Sequence, residues 1–163
     1  MFHTVLNILQ DESEADDTVQ DVFIKIYESI HKFREESSLS TWIYRIAVTK
    51  ALDNLRKRKT RNTLSKWLPW WVPEENKASD VDFYHPGIAL ENKEKAAALF
   101  KAIGLLPERQ KIAFTLIKVE KMSYNEAEEI MQQSVKAIES LVSRAKQNLQ
   151  KQLKEYEHEN RKR

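Results

Sequence analysis

Cysteine is absent from the chain, which excludes a disulfide framework and a thiolate-held metal. Glycine is nearly absent: Gly87 and Gly104 are the two in 163 residues. Strands and their tight turns draw on glycine and on β-branched runs, so this scarcity points to an all-α chain. Of the four prolines, Pro69, Pro73 and Pro86 crowd one stretch and Pro107 stands apart, which leaves long helical windows on both sides. No apolar run approaches the roughly 18 residues of a spanning helix. Residues 1–12 have no basic leader. The expectation is a soluble, cytoplasmic protein without membrane insertion. Charge of one sign is also lacking. With 27 cations against 25 acids the net charge is +2, so local segregation says more than the overall field.

The most informative segregation lies in residues 39–61. At helical period Leu39, Ile43, Ile46, Ala47, Ala51 and Leu55 share one side, and Trp42, Arg45, Thr49, Asp53 and Arg56 share another. The stretch ends in Arg56, Lys57, Arg58, Lys59 and Arg61. One face suits a core. The other offers an aromatic ring, hydroxyls and cations, the set that stacks on bases and neutralises phosphates. The plainer reading is a surface helix whose basic last turn suits its dipole.

Ahead of it, residues 2–10 carry Phe2, Val5, Leu6 and Leu9, a fragment of amphipathic helix. Residues 16–31 then show Val19, Val22, Phe23, Ile26 and Ile30 as a core stripe, opposed by Asp17, Gln20, Asp21, Lys25 and Glu28. Residues 1–61 therefore read as three helices around one small core. Residues 62–92 hold the proline cluster, Trp67, Trp70 and Trp71, and then several acids, and read as a flexible linker. The tryptophans either pack on a neighbouring unit or anchor a partner.

Helical patterning resumes in residues 93–153. Pro107 suits the first position of a helix. Ile112, Ala113, Leu116 and Ile117 form a core face, and Ser123 with Glu126 makes a capping box. Gln132, Gln133 and Ser134 form a turn, and Val135, Ile138, Val142, Ala145, Leu149 and Leu153 form a long stripe. The charged tail, 154–163, is expected to fray. A short helix, a three-residue turn and a longer helix with basic outer positions is the helix-turn-helix pattern. Lys136, Ala137, Ser140, Ser143, Arg144 and Lys146 would face DNA, short side chains allowing close approach and cations holding phosphates. A helical bundle arm is the plainer alternative.

These units, in this order, resemble bacterial sigma factors of the extracytoplasmic-function (ECF) type. ADDTVQDVF at 15–23 is similar to the family's conserved region 2.2, FREESSLSTWIYRIA at 33–47 to region 2.3 and ALDNLRKR at 51–58 to region 2.4. LPERQ at 106–110 and SYNE at 123–126 resemble landmarks of region 4. The resemblance implies an all-α fold of two small helical domains, one like sigma region 2 (1–61) and one like region 4 (93–153). It implies core RNA polymerase and promoter DNA as partners, an anti-sigma factor as regulator, and no cofactor, metal or catalysis. By the resemblance, Asp17, Gln20, Asp21 and Lys25 stand where region 2.2 docks on polymerase. Ser38, Thr41, Trp42, Arg45, Lys50, Arg56, Lys57 and Arg58 stand where the −10 element is bound and melted. Trp42 is equally readable as a core residue. The helix from Val135 stands where the −35 duplex is read.

Departures from the family bear on these expectations. The family usually carries a further helix ahead of the position of Met1, so either the start is misassigned or the first domain needs a partner to cover its core. Glu139 and Leu141 replace two common cations of the recognition helix, and Met122 and Gln133 replace usual glycines. Two other functions compete: a helix-turn-helix regulator that does not dock on polymerase, and a helical enzyme. The acid-rich face at 16–21 argues against the first. Against the second, His3, His31, His85 and His158 are scattered, and no nucleotide loop is present.

Overall fold

A computed structural model describes the backbone of residues 1–65 and 90–160 and the side chains of residues 1–61 and 95–154. Every described element is helical. Helix α1 (Phe2–Leu9) buries Thr4, Val5, Leu6, Asn7, Ile8 and Leu9, nearly its whole circumference. A helix this apolar on all sides must be covered on all sides. It stops at Gln10, in the left-handed region at φ 58°. Asp11 caps α2 (Glu12–Ser29), its carboxylate accepting from the Glu14 amide at 2.9 Å. A 3-10 turn, Ile30–Lys32, leads to the connector before α3 (Leu39–Ser65). Helices α2 and α3 pack together and are tied by Asn54, whose amide donates to the Thr18 hydroxyl at 2.7 Å.

The second unit comprises α4 (Leu90–Gly104), α5 (Glu108–Phe114), α6 (Tyr124–Met131) and α7 (Val135–Asn160). Pro107 sits at the cap of α5, one place before the expected first helical position. Between α5 and α6 the chain widens into a π turn, Thr115–Val119, which the apolar periodicity did not announce. The capping box at Ser123 and Glu126 is formed. Helix α7 continues through Asn160, past the point where fraying was expected. The expected linker at 62–92 lies almost entirely outside the described residues, and its tryptophans lie wholly outside them.

Two expectations about packing change. Residues 1–61 do not enclose a core of their own. Val5, Leu6, Ile8, Val22, Ala47 and Ala51 share one cluster with Phe100, Ile112, Leu116, Ala127, Ile130 and Ile138. The cover for α1 comes from α4, α5 and the π turn of the second unit. The apolar stripe of α2 is also narrower than expected. Val22 is buried and Val19 and Ile26 pack on the core, but Phe23 is 60% exposed and Ile30 43%. Leu39, placed on the core face of α3, is 46% exposed. The face that α2 turns to α1 and α3 is lined by Ala15, Thr18 and Val22, and the flanking apolar positions fall outside it.

Candidate nucleic-acid interface

The candidate site begins in the connector of residues 33–38, where Arg34, Glu35 and Glu36 are exposed and Glu35 adopts φ 58°. The Ser38 hydroxyl caps α3 by accepting from the Thr41 amide at 3.0 Å. Its oxygen also lies 2.8 Å from the Thr41 hydroxyl. Thr41 is buried, so in this conformation it secures the turn and presents no hydroxyl outward. Trp42 is half-buried and its ring leans on Phe33, centroids 5.5 Å apart at 49°. It belongs neither to the central cluster nor to open solvent. The pair makes an aromatic shelf that joins the start of the connector to the first turn of α3.

The cations behind the shelf differ in freedom. Arg45 is half-buried one turn along α3. Lys50 lies 3.8 Å from Asp21 between two partly exposed side chains, and Arg56 lies 3.3 Å from Asp53, so both pairs are weak and screened. Lys57 is exposed. Arg58 is committed elsewhere: it meets Glu14 at 3.1 Å and donates to the Leu9 carbonyl at 3.3 Å, one of the acceptors that end α1 leaves open. Its role here is to hold α1 onto α3.

Helices α6 and α7 form the helix-turn-helix. Gln132 ends α6 in the left-handed region at φ 53°, and Ser134 accepts from the Ala137 amide at 3.4 Å. Helix α7 buries Ile138, Val142, Ala145 and Leu149. That rotation leaves Lys136, Ser143, Arg144 and Lys146 exposed with Ala137 and Ser140 half-buried beside them. Leu141 packs on the core and Glu139 is exposed among the cations.

On α2, Asp17, Gln20, Asp21 and Lys25 are all exposed, Lys25 lying 3.5 Å from Glu28. Beside them stand Phe23, Ile24 at 58% and Tyr27 at 86% exposure, an apolar addition that the sequence reading placed in the core or passed over. The available signal was the excess of apolar residues on α2 over the width of one buried stripe.

The two units meet through polar contacts as well as the shared core. Glu120, just past the π turn, accepts hydrogen bonds from the Thr4 and Tyr44 hydroxyls, the latter at 2.7 Å. Burial pushes the Glu120 carboxyl up, but the two hydroxyls and the nearby charges of the Met1 amine and His3 outweigh it and hold it below the ordinary value. Tyr44 is pushed up to about 12 by burial and by the adjoining carboxylate. Lys111 is brought down to about 8, chiefly by burial and then by the Arg58 charge, with the Ile8 carbonyl 3.5 Å from its ammonium. Lys59 pairs with Glu108 at 3.0 Å. Thr49, Leu52 and Arg56 of α3 line one cleft of about 320 Å³ with Glu108, Arg109 and the Met131, Gln132 and Gln133 turn.

Two family profiles match the chain, Sigma-70 region 2 over residues 1–61 and Sigma-70 region 4 over residues 96–149. Among relatives, the RNA polymerase sigma-H factor of Pseudomonas aeruginosa is 31% identical over 160 residues, covering 91% of this chain and 78% of the relative. The ECF RNA polymerase sigma-E factor of Haemophilus influenzae is 34% identical over 152 residues, covering 86% and 75%. The sigma factor RpoE of Bartonella quintana, solved with the anti-sigma factor NepR, superposes with a TM-score of 0.75 at 26% identity, covering 94% of this chain and 89% of that one. CnrH, solved with the cytosolic domain of CnrY, shares the fold at a TM-score of 0.65 and 21% identity, covering 94% and 79%.

Proposed function

Because the chain belongs to the extracytoplasmic-function family of RNA polymerase sigma factors, and so directs core polymerase to promoters, we propose how its surfaces divide that work. Asp17, Gln20, Asp21 and Lys25 dock on polymerase, with Phe23, Ile24 and Tyr27 extending the same face. The connector, the Phe33–Trp42 shelf, Arg45, Lys50, Arg56 and Lys57 capture the melted −10 strand, since splayed bases need a stacking surface beside cations. Helix α7 reads the −35 duplex through Lys136, Ala137, Ser140, Ser143, Arg144 and Lys146.

The observation that carries this reading is the half-buried Trp42 ring on Phe33, at the junction of the exposed connector with α3 and one helical turn before Arg45. Residues 1–61 and 93–153 act as separate DNA-reading units with 62–92 as their linker and 154–163 as a tail. Sigma factors as a class are not enzymes, and we assign this chain no catalysis of its own. Its workplace is the cytoplasm, where polymerase is. An anti-sigma factor is the expected regulator, by analogy with the solved relatives. The test is gel filtration of the chain with bacterial core RNA polymerase. Co-elution is expected, weakened by Asp17→Ala with Asp21→Ala; elution apart would contradict it.

A further inference from the structure

The basic end of α3 is not one patch. At about 3.6 residues per helical turn, Asn54, Lys57, Arg58 and Arg61 form a stripe centred about 140° round the helix from Trp42, Arg45, Thr49 and Arg56. Arg61 therefore lies off the surface proposed for the −10 strand, and Lys57 stands on the shoulder between the two. The second stripe faces α2. With Glu14 and Asp17 it lines a cavity of about 250 Å³. Two of its members are already engaged: the Asn54 amide donates to the Thr18 hydroxyl, and Arg58 is held by Glu14 and the Leu9 carbonyl. Lys57, Arg61 and Asp17 are exposed, and their side chains have no hydrogen-bond or ion-pair partner among the described residues.

We propose that this cavity receives an acidic side chain of core polymerase, held by Arg61 with Lys57, so that the docking face of α2 continues onto the end of α3. The proposal rests on the sigma-factor reading above. Asp17 belongs at once to the cavity and to the proposed docking face, so the two surfaces are continuous. With Glu14 neutralised by Arg58, two unpaired cations stand against one unpaired carboxylate, which leaves one positive charge for an incoming acid. The planar guanidinium of Arg61 matches a carboxylate with two parallel hydrogen bonds. A nucleic-acid strand is the poorer occupant. Its phosphates come in series, and those next to the one in the cavity would lie beside Glu14, Asp17 and Asp21 of α2, whose field repels them. A single carboxylate meets no such series.

The absence of native cysteine makes the contact readable. Arg61→Cys carrying a benzophenone maleimide should, on irradiation of the complex of chain, core polymerase and promoter, crosslink to a polymerase subunit. Crosslinking to promoter DNA, or to neither, would overturn the proposal. A second measurement leaves DNA out. Arg61→Glu should lower affinity for core polymerase in fluorescence titration by roughly tenfold, because it sets like charges against each other. The loss should shrink as salt screens exposed charges. Unchanged affinity with Arg61→Glu would overturn the proposal. Failure of the unmodified chain to bind core polymerase would instead contradict the sigma-factor reading, and this contact with it.

Discussion

Tyr44 on α3 donates its hydroxyl proton to Glu120 at 2.7 Å across 76 positions of sequence, joining the first helical unit to the second. The bond needs the phenol protonated and the carboxyl ionised. A carboxyl held below its ordinary value contributes stability above that value and loses it as pH falls through the depressed value. A tyrosine raised to about 12 contributes below its ordinary value of 10.0 and loses it between there and about 12. Tyr44→Phe should therefore lower the melting temperature by several degrees at neutral pH, since a hydrogen bond to a charged group contributes about 1.5–3 kcal/mol. The deficit should vanish below the Glu120 transition. Calorimetry from pH 3 to 8 reads it, and a deficit independent of pH would remove Glu120 from the tie.

Lys111 should behave oppositely. A buried ammonium lowered to about 8 destabilises the fold at neutral pH by an amount on the order of 2–3 kcal/mol, partly offset by the Ile8 carbonyl. Lys111→Met should raise the melting temperature at pH 7. The gain should shrink as pH rises from about 8 toward 10.5, because the folded lysine discharges before the unfolded one. Melting curves at pH 7 and pH 10 that showed the same gain would place the ammonium in water.

The exposed apolar residues of α2 allow the proposed docking role to be tested apart from folding. Tyr27 is 86% exposed, so Tyr27→Ala should leave the melting temperature within about 1 °C, since surface changes of this kind are usually within ~0.5 kcal/mol. Affinity for core polymerase should fall severalfold. Fluorescence titration with core enzyme checks it, and unchanged affinity would restrict the docking face to the charged residues.

The surfaces proposed for the −10 strand and the −35 duplex should fail in different ways. Stacking is worth about 1–3 kcal/mol per base, so Trp42→Ala should impair opening of a duplex promoter and matter much less on a template already mismatched at −10. Arg144→Ala should weaken the closed complex and reduce its salt slope by roughly 0.9, the loss of one phosphate contact. Permanganate footprinting and salt-dependent binding distinguish the two. Normal opening with Trp42→Ala would return that ring to a packing role.

Much of this was legible in residue patterns because the signals are local. The Ser123–Glu126 capping box, the stripe of Ile138, Val142, Ala145 and Leu149, and the exposure of Lys136, Arg144 and Lys146 follow from spacing within one helix. The misplacements are long-range. Phe23 and Ile30 have helical spacing for a core but fall beyond the width that α1 and α3 cover. Arg58 looked like a phosphate contact because nothing nearby in sequence shows that the Leu9 carbonyl will lie beside it. Thr41 faces inward because Ser38 takes the cap. The meeting of Thr4, Tyr44 and Glu120 depends on how two units dock, which no periodicity encodes.

The central claim is that this chain gives core polymerase its promoter specificity. Run-off transcription with bacterial core RNA polymerase on genomic DNA fragments, with and without the chain, tests it most directly. The account predicts transcripts from discrete start points only when the chain is present, with permanganate-reactive thymines just upstream of each start. The same diffuse initiation with and without the chain would contradict it.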